Sequence, residues 1–553
     1  MYPTIGETLS LTAEKYPERD AIVYPRRDQR WTYSEFDSRV NRLANVLADL
    51  GIEKGDRVST LLYNGSEIVL TVYACARLGA VFNPLNYRLP AGDVSFILDD
   101  ADSQLLVFEA DTREVVERAR NDLDTVGEYL YIDEDTPEYA RDFYGLLDGA
   151  EDVLPDVGVT EDDTYAFIYT SGTTGRPKGV VHEHRAMVEH NLICVAESGL
   201  RRSDVGLSCL PLYHCAELHA NLFPRVQVGA TSVIHHAFDP EAVLGAIDDH
   251  DITVMFAAPT AWNALAQLAP EVAADTDSLR LGMYGAAPMP ERVLEACMEA
   301  FCEEYLQAYG MTEIGPCGTF QHPDEQIEKQ GSAGVPALNH DLRVIDPDGD
   351  PTAEVEAGDV GEILFAGPCT MREYWNRPEA TDRSLRESAG RTWYYTGDLG
   401  YLDDDGYLFV VDRKDDMIVS GGENVYPTGV EDVLFSHGDV IEAAVVGEPH
   451  EEWGERVVAY VVGEVSAADL DRYCKDSDDL ADFKRPREYY LVDELPKTPS
   501  GKVKKFGPPR GQRAIERGKF GGGSMDGSSS AHQEFTNAAP CSRGNTIRSA
   551  TPP

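Results

Sequence analysis

The residues best equipped for chemistry crowd into one segment, Tyr169-Thr170-Ser171-Gly172-Thr173-Thr174-Gly175-Arg176-Pro177-Lys178-Gly179. Its glycines let backbone N–H groups approach phosphate oxygens. Its Ser and Thr hydroxyls add donors, and Lys178 adds positive charge. That set suits the phosphate tail of a nucleoside triphosphate. The GxxxxGK[ST] spacing is absent, so the segment is not a Walker loop.

The segment resembles the phosphate loop of the adenylate-forming (AMP-binding) superfamily, which includes acyl-CoA synthetases, adenylation domains of peptide synthetases and luciferases. The resemblance runs through further motifs in the family's order, from about residue 5 to about residue 506. Tyr309-Gly310-Met311-Thr312-Glu313 resembles the second nucleotide motif. There the ring stacks on adenine, while Thr312 and Glu313 serve the phosphates and Mg²⁺, a hard cation that favours carboxylate oxygen. Gly285-Ala286-Ala287-Pro288 resembles the small-residue strand end that lines the adenine and acyl pocket. Tyr395-Thr396-Gly397-Asp398 resembles the motif whose Asp holds the ribose hydroxyls by accepting two hydrogen bonds. Asp412-Arg413-Lys414-Asp415-Asp416 resembles the interdomain hinge, with Arg413 on the nucleotide and Asp415 as the pivot. Ser420-Gly421-Gly422-Glu423 resembles the glycine segment along the pantetheine tunnel. Leu495-Pro496-Lys497-Thr498-Pro499-Ser500-Gly501-Lys502 resembles the C-terminal catalytic loop, with Lys502 as the adenylation lysine. Such a lysine would neutralise charge where two anions meet. His214, in Leu210-Pro211-Leu212-Tyr213-His214, resembles the position beside the acyl carboxylate. It is read as either a gate of the acyl pocket or a satisfied core histidine.

The resemblance implies an ATP-dependent acyl-CoA synthetase, with Thr170, Lys178, Glu313 and Lys502 catalytic and Glu313 on the metal. ATP, Mg²⁺ and CoA are the expected cosubstrates and cofactor. The acid is expected to be a medium- or long-chain fatty acid, because Met371-Arg372-Glu373-Tyr374-Trp375-Asn376-Arg377-Pro378 resembles fatty-acid–CoA ligases. An aryl or other carboxylate–CoA ligase is the alternative, and a catalytically dead nucleotide-binding homologue is another. Two further motifs are set aside. His182-Glu183-His184 lacks HExxH spacing and reads as a helix start. Asp277-Ser278-Leu279 is too deep in the chain to be a carrier-protein attachment site.

The elements that must position these residues alternate. Thr32 to Glu35 offers caps for an apolar-periodic helix through Leu50, ended by Gly51. Arg57–Leu62 reads as a strand, Ser66–Leu78 as a helix and Val81–Pro84 as a strand. Similar strands follow around Phe167, Val233, Met255 and Gly282. From about Gly361 to Val411 short β segments take over, with a hairpin turn at Asp403–Gly406. A smaller α/β unit follows, with strands around Val445 and Ala459. The expected fold class is α/β: a large N-terminal domain of parallel-rich sheets with helices and a β-subdomain, plus a small mobile C-terminal α/β domain. The expected boundaries are 1–412, a hinge at 413–416, a C-terminal domain at 417–506 and a disordered basic tail at 507–553.

Composition bounds the rest. The 553 residues carry 48 Lys+Arg against 97 Asp+Glu, a net charge of −49. That balance excludes a phosphate-neutralising nucleic-acid binder and docking on anionic membranes. With 42% hydrophobic residues the chain can bury large cores, and its length calls for at least two of them. Only 12 of the basic residues are Lys. A carboxylate-rich, lysine-poor surface suits concentrated salt, where screening removes self-repulsion, so a halophilic archaeal cytoplasm is expected. The ten Cys form no CxxC pair and read as small buried hydrophobes, not a zinc ribbon. No signal peptide and no apolar run long enough for a membrane span is found, so a cytoplasmic protein is expected. Oligomeric state is not legible, and the sequence is compatible with a homodimer.

Overall fold

The computed structural model describes residues 3–153, 157–170, 176–347, 349–451, 453–477, 479–497, 503, 505 and 516–519. Among these, the strands form four sheets. The first is nine-stranded. Its centre is parallel, running Tyr305–Tyr309, Leu281–Gly285, Val254–Phe256, Val205–Ser208, Thr231–Ile234 and Asp20–Tyr24, and its outer strands are antiparallel. The second is eight-stranded and includes Arg57–Leu61, Val81–Pro84, Ser103–Phe108, Thr164–Thr170 and Lys178–Glu183. Its first four of these pair in parallel, as crossover helices require, whereas Thr164–Thr170 and Lys178–Glu183 are antiparallel.

Local signals account for the helices around these sheets. Thr32 caps helix Tyr33–Asp49 through a capping box with Glu35, as its sequence predicts. Helix Ser66–Leu78 is buried along its whole length, which explains why it is apolar on every face. It ends at Gly79, whose φ of +74° closes the helix in the left-handed region. The core between these helices is aromatic. Phe36 meets Tyr73 edge to face at 5.4 Å, and both are fully buried. Truncating such a phenylalanine to alanine costs about 3–5 kcal/mol.

The third sheet is antiparallel and forms the expected β-subdomain. It holds Asp341–Ile345, Gly361–Ala366, Leu385–Ser388, the 12-residue strand Arg391–Leu402 and Leu408–Arg413. The turn at Asp403–Gly406 joins the last two, with Asp403 Oδ1 accepting from the N–H groups of Asp405 and Tyr407. Asp412 is buried at the end of this sheet. Its Oδ2 accepts from Thr428 N–H at the start of helix Pro427–Phe435, where a carboxylate favours the helix N-terminus.

The fourth sheet belongs to the smaller C-terminal unit. Val440–His450 and Gly454–Gly463 pair over ten registered positions, and Glu488–Leu491 lies parallel to the latter. Glu516–Lys519 adds an antiparallel strand at the edge. This corrects the expectation of disorder from residue 507, at least over 516–519. An open sheet edge offers backbone donors and acceptors, and pairing with them does not require an apolar pattern in the added strand. No described helix is long and apolar enough to cross a membrane.

Candidate active site

Residues far apart in the chain converge where the first three sheets end. Thr170 closes strand Thr164–Thr170, and Lys178 opens the antiparallel strand opposite it, so the glycine-rich segment is the connection of a hairpin. Ser171, Gly172, Thr173, Thr174 and Gly175 lie outside the described residues, as does Lys502.

Lys178 Nζ stands 4.2 Å from the centre of the Tyr374 ring, a cation–π contact. The Tyr374 hydroxyl donates to Glu313 Oε1 at 2.8 Å and lies 3.4 Å from the Tyr394 hydroxyl. Glu313 sits in the turn Thr312–Ile314 and is buried. Burial lowers the Lys178 ammonium below its ordinary value. Glu313 opposes that shift, and Arg383 and Arg413 add to it.

A second cluster adjoins the first. Tyr309 donates to Asp398 Oδ2 at 2.7 Å, and Arg413 Nη1 lies 2.9 Å from Asp398 Oδ1. Asp398 and Arg413 are direct cross-strand partners, so sheet register alone sets their pairing. Asp398 N–H donates to Thr396 Oγ1 at 2.9 Å, which fixes the turn of the motif. Burial works against the Arg413 charge, but Asp398, Tyr394, Tyr309 and Glu313 outweigh it and hold the guanidinium above its ordinary value.

The pocket floor comes from the first sheet. Gly285 pairs with Ala308 on the parallel strand, and a Cβ at Gly285 would lie 2.4 Å from the Ala308 carbonyl oxygen. Ala286 follows at φ +66°, a left-handed conformation that alanine rarely adopts. Gly310 carries the chain from strand Tyr305–Tyr309 towards the turn at Thr312.

His214 is exposed and not a core histidine. Its Nδ1 accepts from Ala216 N–H at 3.2 Å and starts the turn Cys215–Glu217. Cys215 Sγ lies 3.2 Å from Thr312 Oγ1, so His214 and Thr312 belong to one neighbourhood. A buried ion pair holds this turn, with Arg225 Nη2 2.7 Å from Glu217 Oε1 and Ser208 donating to the same oxygen at 2.6 Å. Breaking such a buried pair costs about 3–5 kcal/mol.

The hinge and glycine motifs sit in the C-terminal part. Asp415 is exposed in the single turn Lys414–Asp416. Gly421 and Gly422 form the two-residue turn between Ile418–Ser420 and Glu423–Val425, at φ +65° and +88°. Two positive φ values mark a type I′ turn, and the turn by itself already requires both glycines. Among the described residues on either side of Lys502 in the sequence, Lys497 pairs with Glu442, Lys505 Nζ lies 3.0 Å from Glu431, and Lys497 forms a backbone bridge with Val503.

Two tyrosines missed by sequence reasoning, Tyr374 and Tyr394, complete the surroundings of Glu313. The signal was faint, since Tyr394 directly precedes Tyr395-Thr396-Gly397-Asp398 and Tyr374 lies in the fatty-acid-ligase-like string. The set-aside motifs behave as structure. His184 opens helix His184–Ser198 and accepts from Ile5 N–H at 3.2 Å, while His182 is buried in the preceding strand. Ser278 donates to the Ile252 carbonyl at 2.9 Å. A separate polar cavity of about 210 Å³, lined in part by Glu67, Glu109 and Asp133, includes none of the nucleotide-motif residues. Arg27 already pairs there with Glu67 and Asp133.

The arrangement therefore offers a carboxylate suited to a hard cation, a lysine beside it, and a second carboxylate gripped by Tyr309 and Arg413. Comparison with known proteins agrees. The AMP-binding enzyme family model matches residues 9–375, and the AMP-binding enzyme C-terminal domain model matches residues 429–502. A feruloyl-CoA synthase of Amycolatopsis sp is 37% identical over 482 residues, covering 86% of this chain and 92% of that protein. The long-chain-fatty-acid–CoA ligase FadD13 of Mycobacterium tuberculosis is 36% identical over 507 residues, covering 91% and 97%. The o-succinylbenzoate CoA synthetase (MenE) of Bacillus subtilis, solved with the acyl-adenylate intermediate OSB-AMP, superposes with a TM-score of 0.79 at 35% identity, covering 90% and 96%. The same protein has been solved with ATP and magnesium ion, at a TM-score of 0.78, 34% identity and coverage of 90% and 98%.

Proposed function

Because the chain belongs to the AMP-binding enzyme family and is an AMP-forming acid–CoA ligase, we propose that it activates a medium- or long-chain fatty acid in two half-reactions at one site. In the first, a carboxylate oxygen of the acid attacks the α-phosphorus of ATP. A P–O bond forms, and pyrophosphate leaves. In the second, the CoA sulfur attacks the acyl carbonyl carbon, AMP leaves, and the thiol gives up its proton.

The observation that supports the adenylation chemistry is the convergence of Lys178, Glu313, Asp398 and Arg413, with their partners, at the ends of three sheets, whereas the fatty acid rests on the likeness of residues 371–378 to fatty-acid–CoA ligases. Asp398 is held to accept from the ribose hydroxyls, with Tyr309 beside the adenine. Lys178 and Thr170 serve the phosphates, with the sequence motif at 171–175 supplying further hydroxyls and glycines. The Glu313 carboxylate and its neighbouring Thr312 fit Mg²⁺, which would draw charge from the phosphate oxygens. Gly285, Ala286 and His214 flank the acyl group. Lys502 approaches the reacting carboxylate and α-phosphate in the first half-reaction. A turn about Asp415, within a hinge at 413–416 between domains 1–412 and 417–506, would then bring Gly421 and Gly422 to the CoA arm. ATP and CoA as cosubstrates, with the acidic surface, support a cytoplasmic, salt-adapted enzyme.

A second reading, an aryl acid as substrate, is favoured by the 37% identity to a feruloyl-CoA synthase. Pyrophosphate release in molar KCl with ATP, Mg²⁺ and a panel of fatty and aromatic acids, with and without CoA, separates the two. Turnover confined to fatty acids and dependent on CoA is expected. Turnover confined to aromatic acids would replace the fatty-acid reading. No release with any acid, from folded protein that binds ATP, would mark a catalytically dead homologue.

A further inference from the structure

Beneath the turn that carries Thr312 and Glu313 lies a buried group of sulfur and imidazole ligands that the proposed reaction does not use. Helix His184–Ser198 places His190 and Cys194 one turn apart on one face. Cys317 arrives from the segment after Ile314. All three are buried, and one ligand atom from each lies within 4.8 Å of the others. The spacing 190, 194 and 317 matches no metal motif, so only the fold reveals the cluster.

We propose that His190, Cys194 and Cys317 hold a thiophilic divalent ion of the zinc class, with Cys369 the candidate fourth ligand. The Cys194 sulfur stands 3.7 Å from each nitrogen of the His190 ring. With metal–nitrogen and metal–sulfur distances of about 2.0 and 2.3 Å, nitrogen and sulfur on one tetrahedral ion lie about 3.5 Å apart. The His190–Cys194 separation is close to that value. The His190 Nε2 atom faces Cys317, whose N–H reaches it at a long 3.3 Å. Cys369 is fully buried beside the group, although its sulfur does not lie within 4.8 Å of all three ligand atoms. A Cβ built on Gly315 would lie 2.8 Å from Cys369 Cβ and 2.9 Å from His190 Cδ2.

A bound ion would tie helix His184–Ser198 to the turn bearing Glu313, a closed structural site distinct from any Mg²⁺ that accompanies ATP.

The test is made on the full chain, expressed with added zinc and, separately, refolded with Co²⁺ under reducing conditions. Stoichiometric zinc, and a thiolate-to-cobalt charge-transfer band with tetrahedral d–d bands, are expected. Cys194→Ser and Cys317→Ser should each lose the metal and the band, whereas Cys297→Ser, another buried cysteine, should keep both. If the first two variants do not fold, the wild-type cobalt spectrum decides alone. Folded wild-type protein without stoichiometric metal, cobalt bound without the thiolate band, metal retained in both variants, or a Cys194–Cys317 disulfide in the unreduced protein would each overturn the proposal.

Discussion

The hydroxyl of Tyr309 donates to Asp398 Oδ2 at 2.7 Å across 89 residues of chain. Arg413 meets the other carboxylate oxygen at 2.9 Å. The carboxylate proposed to hold the ribose is thus oriented before nucleotide arrives. A hydrogen bond to a charged group is worth about 1.5–3 kcal/mol. Tyr309→Phe should therefore raise KM for ATP by about tenfold or more, with kcat changed less. An unchanged KM in the folded variant would show that the Tyr309 bond does not prepare Asp398 for the nucleotide.

Lys178 loses its proton earlier than an ordinary lysine, because its burial lowers the ammonium from 10.5. A lowered cation is neutralised at lower pH, so any step that needs the charge fails sooner as pH rises. The alkaline limb of kcat/KM for ATP should begin below pH 10.5. Lys178→Arg keeps its charge throughout, and that limb should vanish from its profile. A limb unmoved in Lys178→Arg would assign it to another group.

Lys502 is assigned to one half-reaction only. Lys502→Ala should abolish acid-dependent pyrophosphate release, a loss of about 10²–10³ or more for a group stabilising transition-state charge. The same variant should still convert supplied acyl-adenylate and CoA to acyl-CoA. Equal loss in both assays would contradict the division of labour.

The net charge of −49 gives a fourth expectation. At molar ionic strength the Debye length falls to about 3 Å, and repulsion among surface carboxylates is screened. Thermal unfolding followed by circular dichroism should shift upward from low salt to molar KCl. A melting temperature indifferent to KCl would end the case for salt adaptation.

Much of this molecule was legible without coordinates. Helix Ser66–Leu78 and strand Val81–Pro84 fall where the sequence predicts them, and Thr32 caps the helix it precedes, with Glu35 of the helix's first turn. These features depend on neighbours within a few residues, through caps, apolar periodicity and glycine stops. The strand at Glu516–Lys519 was not legible, because its pairing depends on an edge that another segment leaves open.

The sequence by itself determined the order of the nucleotide motifs, the family and the acidic surface, since each is written in residue types and their spacing along the chain. The tertiary structure decided who faces whom. It set Asp398 opposite Arg413, placed Tyr374 between Lys178 and Glu313, and gathered His190, Cys194 and Cys317 beneath the same turn. The reason is physical: such contacts follow from strand order and register, where a one-residue slip would turn every side chain to the opposite face, and no local pattern encodes that choice.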